Sequence, residues 1–265
     1  MVLIIIAFIV LSIGGYYLYA RKFSVMPDAI ISLMEDVYEP TTNDKILIIT
    51  PHFDDETIAA GGYIQKSVAN KANVQIIAVT DGNRRGFGQE RKTEFREVVK
   101  TLGVGQDDLI FLDLPEFYLK ERVSSSQLTS DLLQKINSFA PKVIVYPDQS
   151  DTNPDHKFIG QTLDEALKDR TDFYTYTYLV HWKYFPQPVG LHPGNNLTPP
   201  VKLIDFSHHW QRYILSQEEE DNKLAALSIY KSQLRTPLLH DLLMSMVRKN
   251  ELFLEKTLPV NMTKK

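Results

Sequence analysis

Short apolar runs alternate with segments of helical periodicity along the first 146 residues of the chain. The apolar runs predict four strands, at Lys45 to Thr50, Val74 to Thr80, Leu109 to Leu114 and Val143 to Tyr146. The segments between them repeat apolar residues every three or four positions, which predicts helices over 56–70, 89–102 and 126–139. This alternation predicts a Rossmann-like, doubly wound α/β fold, with helices on both faces of a mostly parallel sheet.

The rest of the chain follows a less regular pattern. An aromatic run over 173–182 predicts a further strand, because aromatic residues are enriched in strands. Residues 183–203 carry five prolines and predict a long irregular segment. A charged-to-apolar segment then predicts a helix over 217–232, and residues 238–258 are predicted to contain a last helix.

The N-terminus is the most apolar part of the sequence. Val2 to Ala20 contains no charged residue, and as a helix these 19 residues would span about 28 Å, enough for a bilayer core. A cleaved signal peptide is the alternative, but it would have basic residues before the apolar run, and none precedes it here. We therefore predict an uncleaved transmembrane anchor in residues 1–22. The basic pair Arg21 and Lys22 follows the run, which favours a cytoplasmic catalytic domain.

The remaining sequence predicts a linker over residues 23–43 and one catalytic domain over 44–265. A chain of 265 residues fits a single large domain of this class. The absence of cysteine excludes disulfides, thiolate zinc sites and cysteine nucleophiles. A net charge of −4 gives no basic footprint, so no nucleic-acid partner is expected.

Two polar clusters follow predicted strands directly. Pro51-His52-Phe53-Asp54-Asp55-Glu56 comes after the first strand, and the segment from Asp148 to His156 comes after the fourth. Each cluster alone has a structural explanation as a turn or a helix cap. In a parallel sheet, however, both would lie at the carboxyl edge, where ligands bind. Because His and Asp suit catalytic zinc, the two clusters together indicate a metal site.

These motifs resemble those of the LmbE-like or PIG-L-like N-acetylglucosaminyl deacetylase family. The first cluster is similar to the family's His-Pro-Asp-Asp-Glu motif, and Asn153-Pro154-Asp155-His156 is similar to its later His-Pro-Asp-His motif. The resemblance covers about residues 45–235. It also includes three shorter matches: Thr80-Asp81-Gly82, the helix from Arg91 to Gly103, and Tyr230-Lys231-Ser232-Gln233.

The resemblance implies a zinc-dependent hydrolase that removes an N-acetyl group from an N-acetylglucosamine unit. His52, Asp55 and His156 correspond to the zinc ligands of the family. Asp54 corresponds to the general base, which takes a proton from a zinc-activated water. Three protein ligands and one open position are what catalytic zinc requires.

Further roles also follow from the resemblance. Asp155 is expected to orient His156 or to help fix the acid–base group. Arg91 is expected to hold substrate hydroxyls or a phosphate. The candidate catalytic residues are thus Asp54, Asp155 and Asn153, and Arg91 is a candidate substrate-binding residue.

Two residues depart from the family pattern. Phe53 replaces a proline, and Asn153 replaces the first histidine of the later motif. Asparagine can donate a hydrogen bond, but it cannot donate a proton as imidazolium does. Either Asp54 or another histidine would then protonate the leaving amine. The candidate histidines are His181, His192, His208 and His209, and among them we expect His181 to contact the substrate.

The predicted anchor adds an expectation about the substrate. It suggests an N-acetylated amino sugar at the membrane, in a glycolipid or a polysaccharide, with membrane lipid as a second partner. Two alternatives remain open. One is a catalytically weak relative that binds a sugar or an envelope component, which Asn153 supports. The other is a zinc amidase for a different amide.

Overall fold

An eight-stranded sheet organises the computed structural model, which describes residues 2–22 and 26–257. Its order is β1-β7-β8-β6-β5-β2-β3-β4. In chain order the strands are β1 (Glu35–Asp36), β2 (Lys45–Thr50), β3 (Asn73–Thr80), β4 (Leu109–Leu114), β5 (Val143–Pro147), β6 (Tyr174–Tyr178), β7 (His209–Ile214) and β8 (Asn250–Thr257). Strands β4, β3, β2, β5 and β6 are consecutive parallel neighbours. The prediction of a mostly parallel sheet is therefore confirmed.

Helices cover both faces of this sheet. In chain order they are α1 (Val2–Lys22), α2 (Ile30–Leu33), α3 (Asp55–Ala69), α4 (Gly88–Thr101), α5 (Leu119–Arg122), α6 (Ser125–Phe139), α7 (Pro154–Leu167), α8 (Gln217–Leu227), α9 (Lys231–Leu234) and α10 (Pro237–Ser245). Side chains alternate across β2, so Ile46 and Ile48 pack in one core while Leu47 and Ile49 pack in the other. The first core includes buried residues of α3 and α4, and the second includes those of α6 and α7.

The C-terminal part of the fold differs from the sequence prediction. The last helix, predicted to lie within 238–258, is confirmed as α10, but it ends at Ser245, and residues 250–257 form a strand, β8, that was not predicted. Strand β8 lies antiparallel between β6 and β7. Its central residues Leu252, Phe253 and Leu254 are all buried. A strand that is buried on both faces has consecutive apolar residues and lacks the alternation that identifies a strand in the sequence. For this reason no strand was predicted here. Leu258 lies outside the described residues.

Helix α1 covers the segment predicted as a membrane anchor. The helix itself forms, and its large apolar side chains from Ile4 to Tyr19 are exposed. Over residues 2–22 and 26–257, however, no helix meets the length and apolarity needed to cross a bilayer. The transmembrane anchor predicted for residues 1–22 is therefore not supported, and neither is the membrane-lipid partner expected with it.

The segment predicted as a linker contributes to the sheet. Helix α2 and strand β1 both lie within residues 23–43, and β1 pairs in parallel with β7. The backbone N–H of Val37 also donates to the carbonyl oxygen of Arg212, one residue beyond the short ladder. This edge of the sheet is therefore built partly from residues that precede the predicted domain.

Candidate metal centre and active site

The two polar clusters follow neighbouring strands. Strands β2 and β5 pair in parallel, so the loops that leave their carboxyl ends lie side by side. One loop delivers His52 and leads into α3 at Asp55. The other leads into α7, where the Asn153 side chain accepts a hydrogen bond from the backbone N–H of Asp155 and caps the helix. The N-termini of α3 and α7 thus place the candidate ligands at one edge of the sheet.

Three ligand atoms from these loops meet at one point. Asp55 Oδ2 lies 3.1 Å from His52 Nδ1 and 3.0 Å from His156 Nε2, and the two nitrogens are 3.2 Å apart. All three side chains are buried. A tetrahedral zinc ion with bonds of 2.0–2.2 Å sets its ligand atoms about 3.3–3.6 Å apart, close to the spacing here. This triangle could hold a metal with a fourth position left open.

The second ring nitrogen of each imidazole faces a further carboxylate. Asp155 Oδ2 lies 3.3 Å from His52 Nε2, and Asp151 Oδ2 lies 3.2 Å from His156 Nδ1. Such outer carboxylates fix which ring nitrogen is free to bind a metal. The structure thus places Asp155 against His52, and not against His156 as the sequence suggested. Asp151 was missed as a site residue, although it lies in the same polar cluster.

The charges of this site favour a bound cation. Burial lowers the pKa of His52, but its hydrogen bonds with Asp155 and Asp55 outweigh burial and raise it to about 9. Burial likewise lowers the pKa of His156, and the charges of Asp55 and Asp151 raise it well above its usual range. Three carboxylates around two imidazoles therefore hold positive charge strongly. A divalent metal would supply that charge in place of the two protons.

Asp54 lies beside the ligand triangle and lines the same cavity. Burial and the negative charge of Asp55 raise the pKa of Asp54 to about 8, although Arg91 opposes this shift. The Arg91 guanidinium is 3.9 Å from the Asp54 carboxylate. A carboxyl group with a pKa near neutrality can both accept and return a proton.

Arg91 is held in place by a residue that the sequence analysis missed. One of its terminal nitrogens donates to both carboxylate oxygens of Glu116, at 2.8 and 3.0 Å, and to the carbonyl oxygen of Gly82. Arg91 is buried, yet it still lines the cavity. Glu116 comes from the loop after β4, so no local motif connects it to the other site residues.

The cavity over the triangle has a volume of about 380 Å³, within the usual range for small-ligand sites. The predicted site residues that line it are His52, Asp54, Asp55, Arg91, Asn153, Asp155 and His181. Two apolar groups add to its wall. They are Phe87 with Phe117, and Leu239 with Leu242 and Leu243.

His181 is placed by Asp151. Its Nδ1 lies 3.3 Å from Asp151 Oδ1, and its ring packs edge-on against His156 with centroids 4.7 Å apart. The backbone N–H of His181 also donates to Asp151 Oδ2. Among the four histidines considered from the sequence, His181 is the one that lines this cavity, within the part of the chain that is described.

The late Tyr-Lys-Ser-Gln motif contacts the site through two buried acids. The Tyr230 hydroxyl donates to Glu56 Oε1 at 2.6 Å. The backbone N–H of Ser232 donates to Glu94 Oε1 at 2.8 Å. These contacts attach the C-terminal segment to helices α3 and α4. Ser232 and Gln233 then form part of the cavity wall.

Comparison with known families and structures identifies the region that builds this site. Residues 47–167 match the family model described as PIG-L, GlcNAc-PI de-N-acetylase. The match includes both polar clusters and all three candidate ligands. Over this region the chain is similar to the PIG-L family, which confirms the resemblance drawn from the sequence motifs.

Solved structures with the same fold have low sequence identity to this chain. N,N'-diacetylchitobiose deacetylase from Pyrococcus horikoshii is 21% identical, with 79% of this chain and 82% of that chain covered and a TM-score of 0.57. The zinc-inhibited form of teicoplanin deacetylase Orf2 is 14% identical, with coverage of 80% and 97% and a TM-score of 0.59. GalB, the 4-carboxy-2-hydroxymuconate hydratase from Pseudomonas putida KT2440, is 12% identical, with coverage of 84% and 99% and a TM-score of 0.58. Because this fold carries both deacetylases and a hydratase, the site has to decide the chemistry.

Proposed function

We propose that this protein is a zinc-dependent deacetylase that removes the acetyl group from an N-acetylglucosamine unit. His52 Nδ1, Asp55 Oδ2 and His156 Nε2 would hold the zinc ion. The observation that carries the proposal is the meeting of these three atoms within 3.0–3.2 Å, beside Asp54 in an open cavity. Three ligands with a fourth position free are the arrangement of catalytic zinc.

The chemistry divides between the metal and the chain. A bound zinc ion would activate water near neutral pH and polarise the acetamide carbonyl. Asp54 would accept the proton of the attacking water, because its raised pKa places it near neutrality. The same carboxyl group would then return the proton to the leaving amine. Asn153 cannot take this second step, since an amide does not donate a proton to the amine.

The other predicted site residues would bind and position the substrate. Arg91, fixed by Glu116, would donate hydrogen bonds to sugar hydroxyls or to a phosphate. His181, which follows β6 at the same edge of the sheet, would contact the substrate, and Asp151 would hold its ring in place. Asp155 would act through His52, by fixing the orientation of that ligand.

The family description and two of the structural neighbours favour an acetylated amino sugar as the substrate. The family is described by GlcNAc-PI de-N-acetylation, and the neighbours are a diacetylchitobiose deacetylase and a teicoplanin deacetylase. A glycolipid, an oligosaccharide and a polysaccharide all contain the required acetamide.

Acetate release tests this function. The full chain, stripped of metal by a chelator, is incubated with N-acetylglucosamine, N,N'-diacetylchitobiose, an N-acetylated glycolipid and a non-sugar acetamide, with and without added zinc. We expect zinc-restored acetate release from at least one of the three sugar compounds. Binding of a sugar without acetate release would favour the sugar-binding alternative, which Asn153 supports. Release only from non-sugar acetamides would favour the amidase alternative.

A further inference from the structure

Two aromatic residues at the cavity rim have a backbone conformation that is costly for them. Phe117 and Tyr118 follow β4 and have φ angles of 72° and 56°. In this left-handed region the Cβ atom is crowded, and glycine is the residue that enters it freely. Strain of this kind persists only where the surrounding structure enforces it, and it concentrates at functional sites.

The contacts that enforce this conformation come from the site itself. Asp155 Oδ2 accepts the backbone N–H of Phe117 at 2.7 Å, and Asp155 Oδ1 accepts that of Leu119 at 2.8 Å. The same Oδ2 lies 3.3 Å from His52 Nε2. One carboxylate therefore fixes both a candidate metal ligand and the position of Phe117.

The Phe117 side chain faces the cavity without being part of a core. It is half-buried and lines the cavity, yet it belongs to neither of the two apolar cores formed by the described residues. Arg84, which also lines the cavity, has its guanidinium carbon 3.6 Å from the Phe117 ring centroid. Tyr118 is 48% exposed and is not among the lining residues. Core packing thus does not explain why a large ring occupies this strained position.

We infer that Phe117 is a substrate-positioning residue, whose ring forms an apolar wall against the sugar unit that carries the acetamide. The inference rests on the proposed deacetylase function. Ligand sites combine apolar and aromatic walls with a few polar groups that fix orientation. Here Asp155 places the aromatic wall and the metal ligand His52 at a fixed relative position.

Phe117→Gly separates a substrate contact from a structural role. Glycine suits the observed φ, so we expect the variant to fold, to keep its melting temperature or raise it, and to bind zinc as the wild type does. We expect KM for the best sugar substrate to rise about three- to tenfold, the size of one lost aromatic contact, with kcat changed less. Phe117→Tyr keeps the ring and should keep KM within about twofold.

Tyr184→Gly is the matched control, since Tyr184 is an aromatic residue with a φ of 63° that does not line the cavity, whereas the Tyr118 ring centroid lies only 3.9 Å from that of Phe117. Its KM is expected to stay near that of the wild type. An equal rise in KM in this control would overturn the assignment to Phe117. An unchanged KM in Phe117→Gly, or loss of zinc from it, would overturn the inference while the deacetylase proposal stands. If the zinc-loaded wild type releases no acetate at all, the proposed function itself fails.

Discussion

Replacing Asp151 with asparagine should weaken metal binding although all three metal ligands remain in the chain. The Asp151 carboxylate faces His156 Nδ1 at 3.2 Å and also accepts backbone N–H groups of Asn153, Val180 and His181, at 2.8, 3.0 and 2.9 Å. Both oxygens are therefore in use. An asparagine NH₂ in either orientation would point a donor at a donor, and the charge that supports His156 would be lost.

The expected size follows from what such outer carboxylates contribute. Removing one typically lowers metal affinity 10- to 100-fold, or about 1.4–2.7 kcal/mol. The measurement is the zinc dissociation constant of Asp151→Asn, obtained by competition with a chromophoric chelator at fixed pH. Circular dichroism of the same samples shows whether the variant is folded.

Asp148→Asn provides the matched control. Asp148 is also buried after β5, but it accepts a hydrogen bond from the Thr177 hydroxyl and pairs with Lys256, and it contacts no histidine among the described residues. We expect this variant to lose stability and to keep the zinc affinity of the wild type. A folded Asp151→Asn protein with zinc affinity within threefold of the wild type would refute the reasoning about the outer carboxylate.

Three further predictions follow from the site and its supports. Asp54→Asn should keep stoichiometric zinc, while the rate of acetate release falls about 10²- to 10⁴-fold, as expected for loss of a general base. Turnover equal to that of the wild type would show that Asp54 is not the general base. In the metal-free protein the pKa of His52 is raised to about 9, above its value in the unfolded chain. Protonated His52 therefore stabilises the fold fully below about pH 6.5, and this stabilisation is lost as the pH rises through 9. Zinc competes with that proton, so zinc affinity should rise over the same window, and calorimetry in buffers of different ionisation enthalpy should detect proton release. Lys223 pairs with Glu251 at 2.7 Å, and Lys223→Met would leave the Glu251 carboxylate buried without a counter-charge. This variant should lower the free energy of unfolding, measured in urea, by about 3–5 kcal/mol. A decrease of less than about 1 kcal/mol would contradict this prediction.

The parts of the site that could be predicted from sequence are those with short-range signals. Four strands appeared as bounded apolar runs, and the rule that parallel strands end at one edge brought His52 and His156 together. The pairing of the outer acids could not be obtained in this way. Asp155 and His156 are neighbours in sequence, but adjacent residues of a helix point about 100° apart, so they face different partners. The structure pairs Asp155 with His52 instead.

The remaining features depend on contacts between distant segments. Glu116 and Phe117 reach the site from the end of β4, and their positions depend on hydrogen bonds to Arg91 and Asp155. Strand β8 inserts between β6 and β7 at the far end of the chain. No local pattern encodes such pairings, because they are selected by burial in the complete sheet.

The most direct test of the central claim is to locate the metal. Crystals of the full chain grown with zinc would be measured at the zinc absorption edge, and the anomalous map inspected around the ligand triangle. We expect one peak at bonding distance from His52 Nδ1, Asp55 Oδ2 and His156 Nε2, and we expect this peak to be lost in His156→Ala. A fully zinc-saturated crystal with no peak between these atoms, or with the peak elsewhere, would contradict the proposed metal centre.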